Sequence, residues 1–189
     1  MFSPMAQIVP EGVSGDASVV HFDITDGGGI HSIIRGMGTP NGRYAQLRVG
    51  GALVMSDTQH EKNTNALFVL RAKGDVLIAG LGLGMIVVPL LKKARVTSVT
   101  VVEKSPGVID LVEPHLKRLD ERGILKVVRG DIFTWEPPRG ARFGTIYFDI
   151  WPEITHANVP EMRALHKRYR RRLAKGGFMD SWLSDELGL

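Results

Sequence analysis

Sixteen consecutive residues, Val76 to Leu91, carry no charge, and three glycines and a proline (Gly80, Gly82, Gly84 and Pro89) interrupt them. A membrane-spanning helix needs about 20 apolar residues in an unbroken run, and glycine and proline at these places break one. The segment therefore reads as an apolar strand over 75–79, a glycine turn, and a buried helix over 85–93 whose closing Lys92 and Lys93 suit a negative helix C-terminus. A strand without polar alternation has both faces covered, which commits the chain to a layered α/β architecture.

The same grammar continues downstream. Strands are expected at 96–103, 125–128, 145–149 and 178–182. Between them, Ser105-Pro106 has the form of an N-cap followed by proline at the first helical position, opening a helix to about Glu121. Asn158-Val159-Pro160-Glu161 resembles a capping box before a helix running to about Ala174, which Gly176-Gly177 stops. The expectation is a doubly wound, Rossmann-like, mostly parallel sheet. Upstream, β-prone runs at 19–25, 30–34, 44–49 and 52–55 are separated by turn clusters, which predicts a small antiparallel meander. Residues 57–73 read as a helix or linker with an apolar stripe, and residues 1–18 as a loosely held terminus. The division expected is an extension with the meander over 1–65 and the α/β domain over 66–189.

Composition narrows the chemistry. Cysteine is absent, so thiolate metal sites, disulfides and cysteine nucleophiles are excluded, no metal is expected, and a reducing cytoplasm is the natural setting. The opening residues lack a positive region followed by an apolar run, so neither a secretory signal nor a membrane anchor is predicted. A net charge of +4 is a weak hint of an anionic partner. The basic residues concentrate in His166 to Arg172, on the polar face of a helix whose other face carries Met162, Leu165, Tyr169 and Leu173. A solvated face is the leading reading of that run, and contact with nucleic-acid phosphates the lesser one.

The glycines after the first parallel strand let the chain turn sharply and let backbone approach a ligand at a helix N-terminus. Glu103 closes the next strand about 20 residues on, where a carboxylate accepts two hydrogen bonds from a ribose diol. The sixth position of the motif is Met85, where a dinucleotide site wants glycine or alanine, and no P-loop lysine follows. A nucleoside ligand other than a nicotinamide dinucleotide fits best.

Gly80-Leu-Gly-Leu-Gly84, Val102-Glu103, Gly130-Asp131 and Phe148-Asp149-Ile150-Trp151-Pro152 resemble the ordered motifs of class I S-adenosylmethionine-dependent methyltransferases, in particular the branch that contains spermidine synthase-like proteins. The resemblance covers roughly residues 50–182. It implies that Gly80, Gly82 and Gly84 lie against the methionyl part of the ligand, that Glu103 holds the ribose, and that Asp131 and Ile132 meet the adenine. Asp57-Thr-Gln-His-Glu61 is similar to an aminopropyltransferase segment, which implies substrate contacts for Gln59 and His60. Gln59 stands where those enzymes have tyrosine, and Asp149-Ile-Trp-Pro152 keeps one of their two aspartates.

Asp149, at the carboxyl end of a parallel strand, is the candidate to orient or deprotonate an incoming amine or hydroxyl. Trp151 offers a flat face to a ring or cation. The expected activity is methyl transfer from S-adenosylmethionine to a small-molecule acceptor, an amine being one candidate. The alternatives are aminopropyl transfer from decarboxylated S-adenosylmethionine, and a nucleoside-binding accessory protein without transfer activity. Little sequence follows the fifth parallel strand to cover the sheet edge, which leads us to expect a homodimer.

Overall fold

The structure is a computed structural model that describes residues 2–25 and 38–188. Its centre is a five-stranded sheet of β5 (Gly74–Ala79), β6 (Val96–Glu103), β7 (Leu125–Arg129), β8 (Phe143–Phe148) and β9 (Leu173–Ser181), in spatial order β7-β6-β5-β8-β9. All four pairings are parallel. The apolar run that begins at Val76 becomes the middle strand: Val76, Leu77, Ile78 and Ala79 are all fully buried because helices cover both faces. Its remainder turns through the glycines into the short helix α2 (Val87–Leu91), later in starting than the expected Met85 because Gly82 and Gly84 hold positive φ. Among the described residues no helix is long and apolar enough to cross a membrane.

Helix α3 (Pro106–Leu119) begins as its sequence signature demands: the Ser105 side chain accepts a hydrogen bond from the Val108 amide and proline opens the first turn. Its Val108, Val112 and Leu116 recur at helical spacing and enter the core. Helix α4 (Val159–Tyr169) buries Met162, Leu165 and Tyr169. The expected capping box lies three residues earlier, between Thr155 and Asn158, and closes a single 3-10 turn before the helix. The helix stops at Tyr169 rather than near Ala174. Arg170–Arg172 form another 3-10 turn, and β9 starts at Leu173 instead of 178, with a register shift where Gly176 takes a positive φ.

The upstream meander is a four-stranded antiparallel sheet of β1 (Gly12–Ser14), β2 (Ala17–Ile24), β3 (Gly42–Val49) and β4 (Ala52–Ser56), followed by helix α1 (Gln59–Arg71). The strand expected at 30–34 lies outside the described residues. The expectation of a loose terminus is corrected: Met5 and Val9 are fully buried, and the Met5 amide donates to Asp57 Oδ2 at 2.6 Å. Asp57 Oδ1 also accepts the Ala45 amide at 2.7 Å, so one buried carboxylate ties the first residues to β3. Terminal segments stay ordered when their polar backbone groups are satisfied inside, and here an acid 52 positions away does so. Ala17, Val19, Ala45 and Leu47 share one apolar cluster with Val76, Ile78 and Val101, and α1 runs through positions 65 and 66. The small sheet thus packs into the core of the large one.

Candidate functional site

Strand order reverses beside β5: the chain steps outward to β6 and β7, then returns to β8 on the other side. Loops leaving neighbouring strands in opposite directions open a crevice at the carboxyl edge, the place where open α/β sheets bind ligands. A cavity of about 630 Å³ occupies it, within the roughly 300–1,000 Å³ typical of small-molecule sites. The large sheet supplies its floor from the ends of β5, β6, β7 and β8, and Leu47, Val49, Val54 and Met55 of the small sheet supply a wall.

The glycines earn their places by proximity. Gly80 has φ +92°, and a Cβ there would lie 2.1 Å from the Asp149 carbonyl oxygen. A Cβ at Gly82 would lie 2.2 Å from Met55 Sδ, and one at Gly84 would meet Leu116 Cδ1 at 2.6 Å. Gly80 and Gly82 line the cavity, whereas Gly84 accommodates α3 packing.

Glu103 bridges two loops. Its Oε2 accepts the Leu81 amide and its Oε1 the Ser105 amide, both at 2.7 Å. The carboxylate is thereby fixed at the cavity wall between the glycine turn and the start of α3, and each oxygen keeps lone-pair capacity for a further donor. Asp131 sits beyond the end of β7 with Oδ1 accepting the Phe133 amide at 3.0 Å and Oδ2 paired with Lys104 at 3.1 Å. That backbone hydrogen bond first, and Lys104 after it, hold its carboxyl below the ordinary carboxylate range. Ile132 is buried beside it and also lines the cavity.

Asp149 follows β8, its amide bonded to the Ala79 carbonyl at 2.9 Å across the strand gap. Burial, and after it the charge of Glu61, push its carboxyl up to about 7. Glu61, in the first turn of α1, is likewise pushed up to about 7 by burial, against a smaller lowering from a hydrogen bond with the Ser56 backbone. Both acids line the one cavity, and burial makes each carboxyl hold its proton more tightly than an ordinary carboxylate does. Trp151 is buried and its Nε1 donates to Glu161 Oε2 at 2.8 Å, with both residues lining the cavity.

Gly80, Gly82, Glu103, Asp131, Ile132, Asp149 and Trp151 thus meet around one cavity. Gln59 and His60 do not line it: the Gln59 Nε2 donates to Asn63 Oδ1 on its own helix at 2.7 Å, and His60 is exposed. Sequence reasoning passed over Met55 and Glu161 as cavity residues, and it placed Glu61 in the aminopropyltransferase-like segment without naming it among the contacts. The signal for Glu61 is helical spacing, since Asn65 one turn on is buried and its partner Tyr147 OH donates to Asn65 Oδ1 at 3.1 Å.

The five-stranded parallel sheet is a Rossmann-like α/β fold of the kind found in a methyltransferase and a spermidine synthase of known structure. Among solved structures, spermidine synthase from Thermotoga maritima is similar over 92% of this chain and 55% of its own, at 16% identity and a TM-score of 0.55. The methyltransferase CcbJ from Streptomyces caelestis is similar over 62% of this chain and 47% of its own, at 19% identity and a TM-score of 0.51. The chain therefore spans about half the length of these structures. No protein-family model and no curated protein matches the chain.

Proposed function

We propose that the protein is a transferase that binds an S-adenosyl sulfonium donor in the crevice and passes an alkyl group from it to an amine. The observation that carries this reading is Glu103, locked by two backbone amides at the cavity wall where a ribose diol is read. The residues fit the donor: Gly80 and Gly82 bring bare backbone to the wall of the cavity that Glu103 lines, and Asp131 and Ile132 line the same cavity.

The sulfonium supplies an electrophilic carbon, and its C–S electrons return to sulfur as the acceptor nitrogen's lone pair forms the new bond. The chain's own residues then have two tasks. One is positioning, which falls to the glycine turn, Glu103 and the buried Trp151. The other is proton handling: an amine is an ammonium in neutral water, and Asp149 and Glu61, in their ionised form, hold that cation and then take one proton from it, which frees the nitrogen lone pair for attack.

Methyl transfer from S-adenosylmethionine is the first form of this reading. Aminopropyl transfer from the decarboxylated donor is the second, favoured by the acidity of the crevice: among the described residues six of its lining side chains are carboxylates (Asp16, Glu61, Glu103, Asp131, Asp149 and Glu161), against one lysine. Calorimetry with S-adenosylmethionine, its decarboxylated form, 5′-methylthioadenosine and NAD tests the reading. Binding of adenosyl sulfur ligands but not NAD, lost in Glu103→Ala, is expected. Binding of NAD alone, or unchanged affinity in Glu103→Ala, refutes it.

A further inference from the structure

The pairing of β3 with β4 contains an irregularity that aims a side chain at the glycine turn. Leu47 faces Met55 and Arg48 faces Leu53, so Val54 is an extra residue on β4. A bulge of this kind bends a strand and re-aims its side chains, and both Val54 and Met55 line the cavity. Met55 Sδ reaches across from the small sheet and accepts the Leu83 amide at 3.1 Å, while lying against the bare Cα of Gly82.

The amides of the turn are almost all engaged. Gly80 donates to the Val102 carbonyl, Leu81 to Glu103 and Gly84 to the Leu81 carbonyl, each with a strong oxygen acceptor. Leu83 donates to a thioether, a weak acceptor that an anionic oxygen would outcompete if it could reach the same place. A donor that retains the α-carboxylate of its methionyl tail brings such an oxygen, and the Met55 side chain already fills the space. The rest of the crevice offers that carboxylate little: among the described residues Lys104 is the one basic side chain lining it, is largely exposed, and is paired with Asp131, while Glu61 and Asp149 are acids.

We infer that Met55 is a specificity-determining residue that selects adenosyl donors lacking the α-carboxylate, by occupying the glycine-turn amide and the space over Gly82 that a carboxylate would need. This rests on the adenosyl-binding reading above and decides between its two forms.

The cleanest probes are two thioethers that differ in that group alone, S-adenosylhomocysteine and its decarboxylated counterpart S-adenosyl-3-thiopropylamine, with 5′-methylthioadenosine as a tail-free reference. Calorimetry on the wild-type chain is expected to show the decarboxylated ligand binding at least about tenfold more tightly. In Met55→Ala the ratio is expected to fall several-fold, through a gain for S-adenosylhomocysteine, with 5′-methylthioadenosine little changed. Met55→Leu keeps the bulk over Gly82 without the thioether that accepts the Leu83 amide, is expected to keep most of the preference, and carries the test if the alanine variant fails to fold: a lost preference in the leucine variant overturns the filling of that space as the cause. Equal binding of the two thioethers by wild type, or an unchanged ratio in Met55→Ala, overturns the role of Met55 while binding of 5′-methylthioadenosine leaves the adenosyl reading standing. Failure of all three ligands to bind wild type overturns both.

Discussion

The acid pair makes a prediction with an unusual sign. A carboxyl that is raised in the folded state from its ordinary 3.8 to about 7, as Asp149 is, binds a proton in the folded chain over a range where the unfolded chain has already released it. The folded state is therefore favoured at low pH by this group, and the advantage disappears as pH rises from about 4 to about 7, the reverse of a salt-bridged aspartate. At 1.36 kcal/mol for each tenfold change in proton affinity, the full rise corresponds to an upper bound of about 4 kcal/mol lost by pH 8. Water reaching Asp149 through the open crevice brings the expected value to about 1–3 kcal/mol. Asp149→Asn removes the titration and keeps the shape. Urea denaturation of both proteins should give a stability difference, variant minus wild type, that grows in the variant's favour by that amount between pH 3.5 and pH 8, with more than half of it above pH 5. Taking the difference cancels the other carboxylates, including Asp131, whose lowered affinity acts in the opposite sense. A difference that is flat with pH, or that moves against the variant, would refute the claim that Asp149 is desolvated next to Glu61.

The same pair sets the reaction's pH profile: with an amine acceptor, kcat/KM should rise as pH passes through about 7, and the rise should be lost in Asp149→Asn or Glu61→Gln, measured by steady-state assay. Glu103→Ala removes a carboxylate that two amides anchor at the wall, and should weaken adenosyl-ligand binding about 100-fold by calorimetry while the far-ultraviolet circular dichroism stays native. Gly80→Ala places a Cβ 2.1 Å from a backbone oxygen at φ +92°, and should cost about 3 kcal/mol or more in urea denaturation. Asp57→Ala strands the Met5 and Ala45 amides inside the protein and should cost about 3 kcal/mol, with faster proteolysis of the first ten residues as its signature.

The parallel half of this fold was legible because its signals are local: unalternating apolar strands, a serine-proline helix start, and glycines between a strand and a helix. Glu103 and Asp149 were singled out because they stand at strand ends, and strand ends of a parallel sheet converge on one edge, whereas Asp131 came from the motif resemblance alone. What escaped notice depends on long-range contacts. Asp57 reads in sequence as a polar residue ahead of a helix, and only the arrival of Met5 and β3 makes it a buried anchor. Met55 reads as one more apolar residue of a strand, and the bulge at Val54, which turns it toward Gly82, has no turn residue to announce it. The end of α4 was overrun because Arg170, Arg171 and Arg172 are good helix formers, while the chain needs Leu173 beside Phe143 to start β9 and leaves the helix early.

The net charge of the chain points away from the chemistry of its site. A value of +4 suggests an anionic partner, yet the crevice is walled by acids. Helix α4 shows how both hold at once. Its first turn brings Glu161 to Trp151 at the cavity wall, while Lys167 and Arg168 lie in its last turn and Arg170 to Arg172 just beyond. At about 1.5 Å per residue, Lys167 to Arg172 lie roughly 9–16 Å further along than Glu161, beyond a Debye length of about 8 Å at physiological salt. Arg168 and Arg172 are moreover drawn to Glu136. The basic run therefore adds little to the potential a ligand meets at Asp149. Any anion it attracts is held away from the reacting atoms. Charge-reversing Arg170, Arg171 and Lys175 together should leave adenosyl-ligand affinity within about twofold across a salt titration, whereas a large change would mean that the two ends of the helix act as one site.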